Sequence, residues 1–139
     1  MNFSRRDLTL LLPALAAAGS SAQNVILPSK SYPFDDMKVN GSGANKTRPV
    51  LNGLTHSGSN VEVHLTELPP GGAPHPPHHH EHEEMILIKD GTMEVTISGK
   101  ATTLGPGSVA YVASNEEHGW RNAGNTRALY FIIALGSKK

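Results

Sequence analysis

Residues 72–91 read GAPHPPHHHEHEEMILIKDG, and no other part of the 139-residue chain constrains its architecture and chemistry as strongly. In an extended strand alternate side chains share a face, so His78 and His80 can point into one cavity. Glu84 has the same parity and comes from the next turn or from the start of the following strand. Imidazole nitrogens with a carboxylate oxygen suit Mn, Fe, Co, Ni, Cu or Zn rather than Ca or Mg. The stretch therefore predicts a transition-metal site.

The composition of the whole chain leaves histidine and carboxylate as the available chemistry. The chain has 8 histidines and no cysteine, which excludes disulfide scaffolds, thiol catalysis, Fe–S clusters and cysteine-ligated structural zinc. Lysine plus arginine number 12 and aspartate plus glutamate number 12, so the charge predicts neither a nucleic-acid partner nor an anionic membrane surface. The expected partner is a small-molecule substrate or ligand.

The segments outside the histidine-rich stretch are typical of short β-strands. With 14 glycines and 10 prolines the chain is rich in turns. Alternating or continuous apolar runs recur at near-regular spacing, at residues 61–68, 85–89, 92–97, 100–104, 109–113 and 128–135. Ser98-Gly99 separates two of them as a hairpin turn would. The pattern predicts an all-β sandwich or barrel, in which the last run is a fully buried strand.

The histidine-rich stretch contains the pattern Gly-x5-His-x-His-x3-Glu-x6-Gly, which is formed by Gly72, His78, His80, Glu84 and Gly91. This pattern is the first motif of the cupin superfamily, and in it the sequence resembles that superfamily. The alternative register, which pairs His80 with His82, fails at both the first glycine and the glutamate position. A histidine-rich tract alone is also typical of a solvated metal-scavenging loop, so the resemblance depends on the glycines and the glutamate.

The second cupin motif is Gly-x5-Pro-x-Gly-x2-His-x3-Asn, and Gly107, His118 and Asn122 meet it. Ala113 and Asn115 stand where the motif has proline and glycine, which puts the shape of that turn in doubt. The resemblance implies a single all-β cupin β-barrel, a jelly-roll-like double-stranded β-helix, over residues 46–139.

The resemblance also implies a metal centre in that barrel. The implied ligands of one divalent transition-metal ion are His78, His80, Glu84 and His118. Mn or Fe is favoured, with Ni, Cu, Co and Zn as alternatives. Four protein ligands leave about two octahedral positions for water, substrate or dioxygen, as a catalytic metal requires.

The remaining histidines and aromatic residues receive plainer interpretations. His64 alternates with two apolar neighbours. If these neighbours fill the packing layer, His64 faces the cavity, where it is either a general base or a hydrogen-bond partner of a metal ligand. His75 is expected at the barrel mouth, whereas His79 and His82 are expected at the surface. Trp120 and Tyr111 are interpreted as core residues.

The first 22 residues are interpreted as an export signal rather than as part of the fold. Arg5 and Arg6 precede an apolar run too short to span a bilayer, and small residues end at Ala22. This layout resembles a twin-arginine signal peptide and predicts a periplasmic or secreted protein, with no membrane attachment after cleavage. An ordinary Sec signal and an uncleaved helical anchor are the alternatives. Residues 23–45 are interpreted as an extended polar arm, which could cross to a neighbour in a homodimer.

Three functions are compatible with such a site. The first is a metal-dependent oxidoreductase, of dioxygenase type, acting on a small organic molecule. The second is a Lewis-acid lyase or isomerase, and the third is a non-catalytic module that binds a small ligand or a metal. An inward-facing base such as His64 would favour the second function. An apolar cavity lined by residues such as Ile86, Ile88 and Phe131 would favour the first, and sequence alone ranks the oxidoreductase first.

Overall fold

A computed structural model describes residues 26–41 and 44–136, and the regular structure in these ranges is almost entirely β-strand. The predicted signal peptide, residues 1–22, lies outside the described residues. One short 3-10 helix, η1, precedes eight strands. The elements are η1 (Phe34–Asp36), β1 (Lys46–Leu54), β2 (Asn60–Leu68), β3 (Glu83–Asp90), β4 (Met93–Ile97), β5 (Lys100–Leu104), β6 (Val109–Val112), β7 (His118–Asn122) and β8 (Ala128–Leu135). In the described ranges, no helix is long and apolar enough to cross a bilayer.

The strands form two antiparallel sheets that face each other across one core. The larger sheet has the order β1-β2-β8-β3-β6, and the smaller one has the order β5-β4-β7. Side chains from both sheets fill the space between them: Leu68, Ile86, Ile88, Met93, Val95, Trp120, Ala128, Tyr130 and Ile132. The predicted all-β barrel of jelly-roll type is confirmed.

The burial of β8 differs from the expectation of a strand buried on both faces. Ala128, Tyr130, Ile132 and Ala134 are buried, whereas the residues between them are partly exposed. Successive side chains of a strand point to opposite faces, so only one face of β8 meets the core. Phe131 therefore lies on the outer face of the sheet, and of the three residues named for an apolar cavity wall only Ile86 and Ile88 belong to the core.

Most of the described part of the predicted arm, residues 26–41, runs along the edge strand β1. Ile26 pairs with Leu54 in parallel and Asn40 pairs with Thr47 in antiparallel orientation. The ring of Phe34 lies 4.6 Å from the guanidinium carbon of Arg48, which also forms an ion pair with Glu67. Burial raises the pKa of the Glu67 carboxyl, but the hydrogen bond and charge of Arg48, together with the charges of Arg127 and Lys46, leave that pKa below its ordinary value.

Two glycine-containing turns determine how β3, β4 and β5 follow one another. Ser98 and Gly99 have φ angles of 47° and 78°, which make the predicted tight hairpin between β4 and β5. Gly91, at the turn from β3 to β4, has φ of 86° and lies against Ala128 of β8. A Cβ at Gly91 would lie 2.7 Å from the Cα of Ala128, so only glycine fits there.

We predict that Gly91→Ala lowers the free energy of unfolding by about 3 kcal/mol, since it adds a steric clash to an unfavourable backbone conformation. Gly99→Ala is the matched control, because Gly99 has a similar φ of 78° and a Cβ there would meet no atom of the described residues within 4 Å. Gly99→Ala should lower the free energy of unfolding by about 1 kcal/mol, which is the backbone contribution alone. Urea denaturation measures the free energy of unfolding of both variants, and equal losses would contradict the packing argument.

Candidate metal centre

The histidine-rich segment before β3 is held against the start of β7 by backbone hydrogen bonds. His78 and His118 form an antiparallel bridge, with N–O distances of 3.0 and 2.9 Å. The carbonyl oxygen of His80 accepts a hydrogen bond from the backbone N–H of Asn115 at 2.8 Å. Asn115, which stands where the second cupin motif has glycine, has φ of 62°, a left-handed conformation that asparagine tolerates. The departure from the motif therefore leaves this turn able to support the segment.

Asn122 ties the end of β2 to β7 from inside the core. Its side chain is fully buried. The amide nitrogen donates to the carbonyl oxygens of Leu68 and Thr126 at 3.0 and 2.7 Å, and the amide oxygen accepts from the N–H of Gly124 at 2.9 Å. Asn122 thus fixes the strand that carries His118.

Gly119 allows the histidine-rich segment to approach β7 closely. A Cβ at this position would lie 3.1 Å from Cγ and 3.2 Å from Cα of Pro77. Pro77 directly precedes His78, so the missing side chain helps to set the position of that imidazole.

Three imidazoles and one carboxylate meet at the end of the barrel where β3 and β7 begin. One ring nitrogen from each of His78, His80 and His118 lies within 4.8 Å of the others. Glu84 Oε2 lies 3.6 Å from His80 Nε2 and 3.2 Å from His118 Nε2. The structure therefore brings together the four side chains that the cupin motifs single out.

Backbone carbonyls orient two of these imidazoles. His80 Nδ1 lies 2.8 Å from the carbonyl oxygen of His82, and His118 Nδ1 lies 2.8 Å from that of Glu116. A carbonyl oxygen only accepts, so each Nδ1 carries the proton and donates it. Nε2 of both rings is then unprotonated, and its lone pair can bind a metal ion. This is the tautomer that metal ligation requires.

Four buried side-chain atoms in this cluster have no hydrogen-bond partner within the described residues. They are His78 Nδ1, His80 Nε2, Glu84 Oε2 and His118 Nε2. Buried polar atoms are nearly always hydrogen-bonded, so four orphans at one place need an explanation. A divalent transition-metal ion would satisfy all four, because nitrogen and carboxylate oxygen are ligands that such ions take. The four side chains therefore fit a divalent transition-metal ion.

Burial lowers the pKa of His78, and the neighbouring imidazoles of His75, His118 and His80 lower it further. A lowered pKa favours the neutral ring, the form that binds a metal. In His78 the buried ring nitrogen without a hydrogen-bond partner among the described residues is Nδ1, whereas in His80 and His118 it is Nε2.

His82 lies closer to the centre than the sequence suggests. Its ring stacks on that of His80 at 3.5 Å between centroids and 9° between planes, and the side chain is half-buried. His80, His82 and Glu84 also form a second group of closely spaced ligand atoms. The expectation of a surface position for His82 is therefore wrong. His79 is exposed, and the exposed ring of His75 meets that of His78 edge-on at 4.2 Å.

Trp120 and Tyr130 form a buried layer beneath the centre. The Trp120 ring stacks on that of His118 at 5.7 Å, and its Nε1–H donates to the Tyr130 hydroxyl at 2.9 Å. Burial raises the pKa of Tyr130 to about 12, so the hydroxyl stays neutral at physiological pH. Trp120 is a core residue, as predicted, whereas Tyr111 is half-exposed on the outer face of β6 and its predicted core position is wrong.

His64 lies on the inner face of the larger sheet. It pairs with Ile132 of β8, whose side chain is buried in the core, and directly opposed residues share a face. His64 Nδ1 lies 3.7 Å from Oε1 of Glu62, two residues earlier on the same face. Glu62 Oε2 in turn accepts a hydrogen bond from Asn52 Nδ2 at 3.2 Å. Sequence reasoning missed Glu62 and Asn52, although the alternation of β2 already puts Glu62 and His64 on one face.

Comparison with known proteins is consistent with this architecture. The family model described as "Cupin domain" matches residues 64–134. No curated protein sequence matches the chain. Similar solved structures include KdgF from Halomonas sp., with 15% identity, a TM-score of 0.69, and coverage of 81% of this chain and 97% of that one.

Two further structures are similar at comparable levels. The polyketide cyclase RemF from Streptomyces resistomycificus has 21% identity and a TM-score of 0.61, with 78% of this chain and 80% of that one covered. A predicted oxalate decarboxylase from Thermotoga maritima has 19% identity and a TM-score of 0.63, with 78% and 100% covered. Likeness at these identities establishes the fold alone.

We predict that Gly119→Ala lowers the affinity of the centre for a divalent transition metal by about tenfold, because it displaces Pro77 and with it His78. Gly105→Ala is the control, since within residues 26–41 and 44–136 no atom lies within 4 Å of a Cβ placed at Gly105. Titration of metal-free protein with Zn²⁺ by isothermal calorimetry measures both affinities. Unchanged affinity in Gly119→Ala would show that the close approach of Pro77 does not position the ligand.

Proposed function

The chain belongs to the cupin domain family, and we propose that its four clustered side chains hold one divalent transition-metal ion in a catalytic centre. The ligands are His78, His80, Glu84 and His118. The single observation that carries this proposal is a set of four buried nitrogen and oxygen atoms, one from each of these residues, that have no hydrogen-bond partner in the part of the chain that the structure describes. Mn or Fe suits such a mixed shell, with Ni, Cu, Co and Zn as alternatives.

The proposed function is that of a metal-dependent enzyme acting on a small organic molecule. An ion held there supplies Lewis-acid polarisation of a carbonyl or hydroxyl oxygen. The chain contributes fixed ligand orientation through the carbonyls of Glu116 and His82, and an apolar wall from Ile86 and Ile132. The buried polar side chains in the described ranges include no lysine or arginine, which disfavours a highly anionic substrate.

Two reaction classes are candidates for this centre. His64 on the inner face of the barrel supports a Lewis-acid lyase or isomerase, because such reactions need a base to move a proton. We therefore rank this class first. The apolar side chains around the centre support the second candidate, a dioxygenase, which requires a protected site rather than a base.

Export and self-association remain predictions from the sequence. The twin-arginine-like segment predicts a periplasmic or secreted enzyme that folds and takes up its metal before crossing the membrane. A homodimer is also proposed.

Replacing Arg5 and Arg6 by lysine should leave unprocessed precursor in the cytoplasm of the producing cell, as an immunoblot of cell fractions would show. Normal processing of that variant would favour an ordinary Sec signal.

We predict that protein purified without a histidine tag contains about one transition-metal ion per chain, measured by elemental analysis. His118→Ala should weaken metal binding by more than roughly 100-fold, since it removes a ligand rather than a ligand's hydrogen-bond partner. His79→Ala is the matched control, because His79 is an exposed neighbour in the same segment. Folded protein that takes up none of Mn, Fe, Co, Ni, Cu and Zn would refute the proposal.

Oxygen consumption separates the two reaction classes. Metal-loaded protein is incubated with a panel of small phenols and diketones in an oxygen electrode. The lyase or isomerase class predicts no uptake above that of the metal-free protein, whereas sustained uptake with any compound would favour the dioxygenase.

A further inference from the structure

One row of residues crosses all five strands of the larger sheet at the metal-binding end of the barrel. Ala134 of β8 pairs with Glu84 of β3 on one side and with Glu62 of β2 on the other. Glu62 pairs in turn with Asn52 of β1, and Glu84 pairs with Val112 of β6. Directly paired residues share a face, so Glu62 lies on the same inner face as the carboxylate of the metal centre.

His64 lies in the next row of the same face. It pairs with Ile132, which pairs on its other side with Ile86. A second polar group, formed by Asn52, Glu62 and His64, therefore lies on the same inner face as Glu84 of the metal centre. Two strand spacings, about 10 Å, separate the backbones of the two groups.

The residue between the two groups is small. Ala134 is the only side chain that separates Glu62 from Glu84 within their row, and it offers a single methyl group. Beside it, Ile132 and Ile86 provide an apolar floor. The two polar groups are therefore spaced so that a small organic molecule lying over Ala134 could contact both.

The contacts within the second group orient the imidazole of His64. Its Nδ1 lies 3.7 Å from Glu62 Oε1, and Glu62 Oε2 is held by Asn52 Nδ2 at 3.2 Å. The side chains of His64 and Glu62 are 28% and 29% exposed, so they are accessible to a ligand while still screened from bulk water. A carboxylate beside Nδ1 favours the tautomer whose Nε2 accepts a proton.

We infer that His64 is the proton acceptor of this enzyme and that Glu62 is its positioning residue. The substrate class is a small carbonyl compound that has a hydrogen on the carbon next to the carbonyl and a second oxygen for chelation, as in a 2-oxo acid. This inference rests on the proposed metal centre. It assigns residues that lie on β2, away from all four proposed ligands.

The step is a simple proton transfer. The C–H bond next to the carbonyl breaks, and its proton forms a bond to Nε2 of His64. The electron pair of that bond becomes the π bond between the two carbons, and the carbonyl π electrons move onto the oxygen. The carboxylate of Glu62, 3.7 Å from Nδ1, stabilises the resulting imidazolium electrostatically. Return of a proton from His64 reverses the step, and no oxidant or reductant is needed.

The test uses the full mature chain loaded with Zn²⁺, which is redox-inert, and pyruvate as the probe. Exchange of the pyruvate methyl protons for deuterium in D₂O is followed by proton NMR. We expect His64→Gln to slow exchange by about 100-fold relative to the parent protein. Zinc content should stay within about twofold, because His64 is not one of the proposed zinc ligands. The dissociation constant of pyruvate should change as little, because His64 takes up the proton only after pyruvate has bound. His56→Gln, an exposed histidine in the turn between β1 and β2, should exchange at the parental rate.

The positioning role of Glu62 has a spectroscopic signature. In ¹⁵N-labelled, zinc-loaded protein, long-range proton–nitrogen correlation should show His64 protonated at Nδ1. Glu62→Leu should shift that ring toward the Nε2-protonated tautomer and slow exchange by roughly tenfold, without loss of zinc. An unchanged tautomer in Glu62→Leu would overturn the assignment of Glu62.

The outcomes separate this inference from the function on which it rests. If the parent protein binds no zinc, the metal centre itself is wrong. If zinc binds but the parent exchanges pyruvate protons no faster than free zinc does, the substrate class is wrong. If the parent exchanges rapidly and His64→Gln matches it, His64 is not the proton acceptor.

Discussion

Four polar atoms that are buried without hydrogen-bond partners are the constraint around which the described structure is organised. They belong to His78, His80, Glu84 and His118. Leaving a buried polar group unsatisfied costs about 1–3 kcal/mol, so a fold that gathers four of them has a strong need for a ligand. A bound cation removes that cost in the folded chain alone, which couples metal occupancy to stability.

The features around the centre act by holding those four atoms in place. The backbone bridge between His78 and His118 joins the histidine-rich segment to β7, and Gly119 lets the two approach closely. Asn122 fastens β7 to the end of β2, and Trp120 supports the ring of His118 from below. The larger sheet carries Glu84 itself, and the row through Ala134 places Glu62 on the same face, two strands from Glu84.

The sequence was sufficient for much of the fold and for the proposed ligand set, because both leave local signals. Alternation identifies β2 and β4, and fixed spacing identifies the motif that contains Glu84. The sequence was insufficient to predict β7, since its residues HGWRN have no alternating pattern and form a strand by pairing with β4. The outward position of Phe131 and the approach of His82 to His80 likewise depend on packing between elements. The relation of Glu62 to Glu84 depends on the registers of two strand pairs, which no local pattern encodes.

Anomalous diffraction from crystals of the manganese- or zinc-loaded protein tests the central claim most directly. The account predicts one strong peak per chain, within about 2.0–2.3 Å of a ring nitrogen of His78, His80 and His118 and of a carboxylate oxygen of Glu84. A peak held instead by His80, His82 and Glu84, with His118 outside the coordination shell, would contradict the account. The absence of any peak at this end of the barrel would contradict it as well.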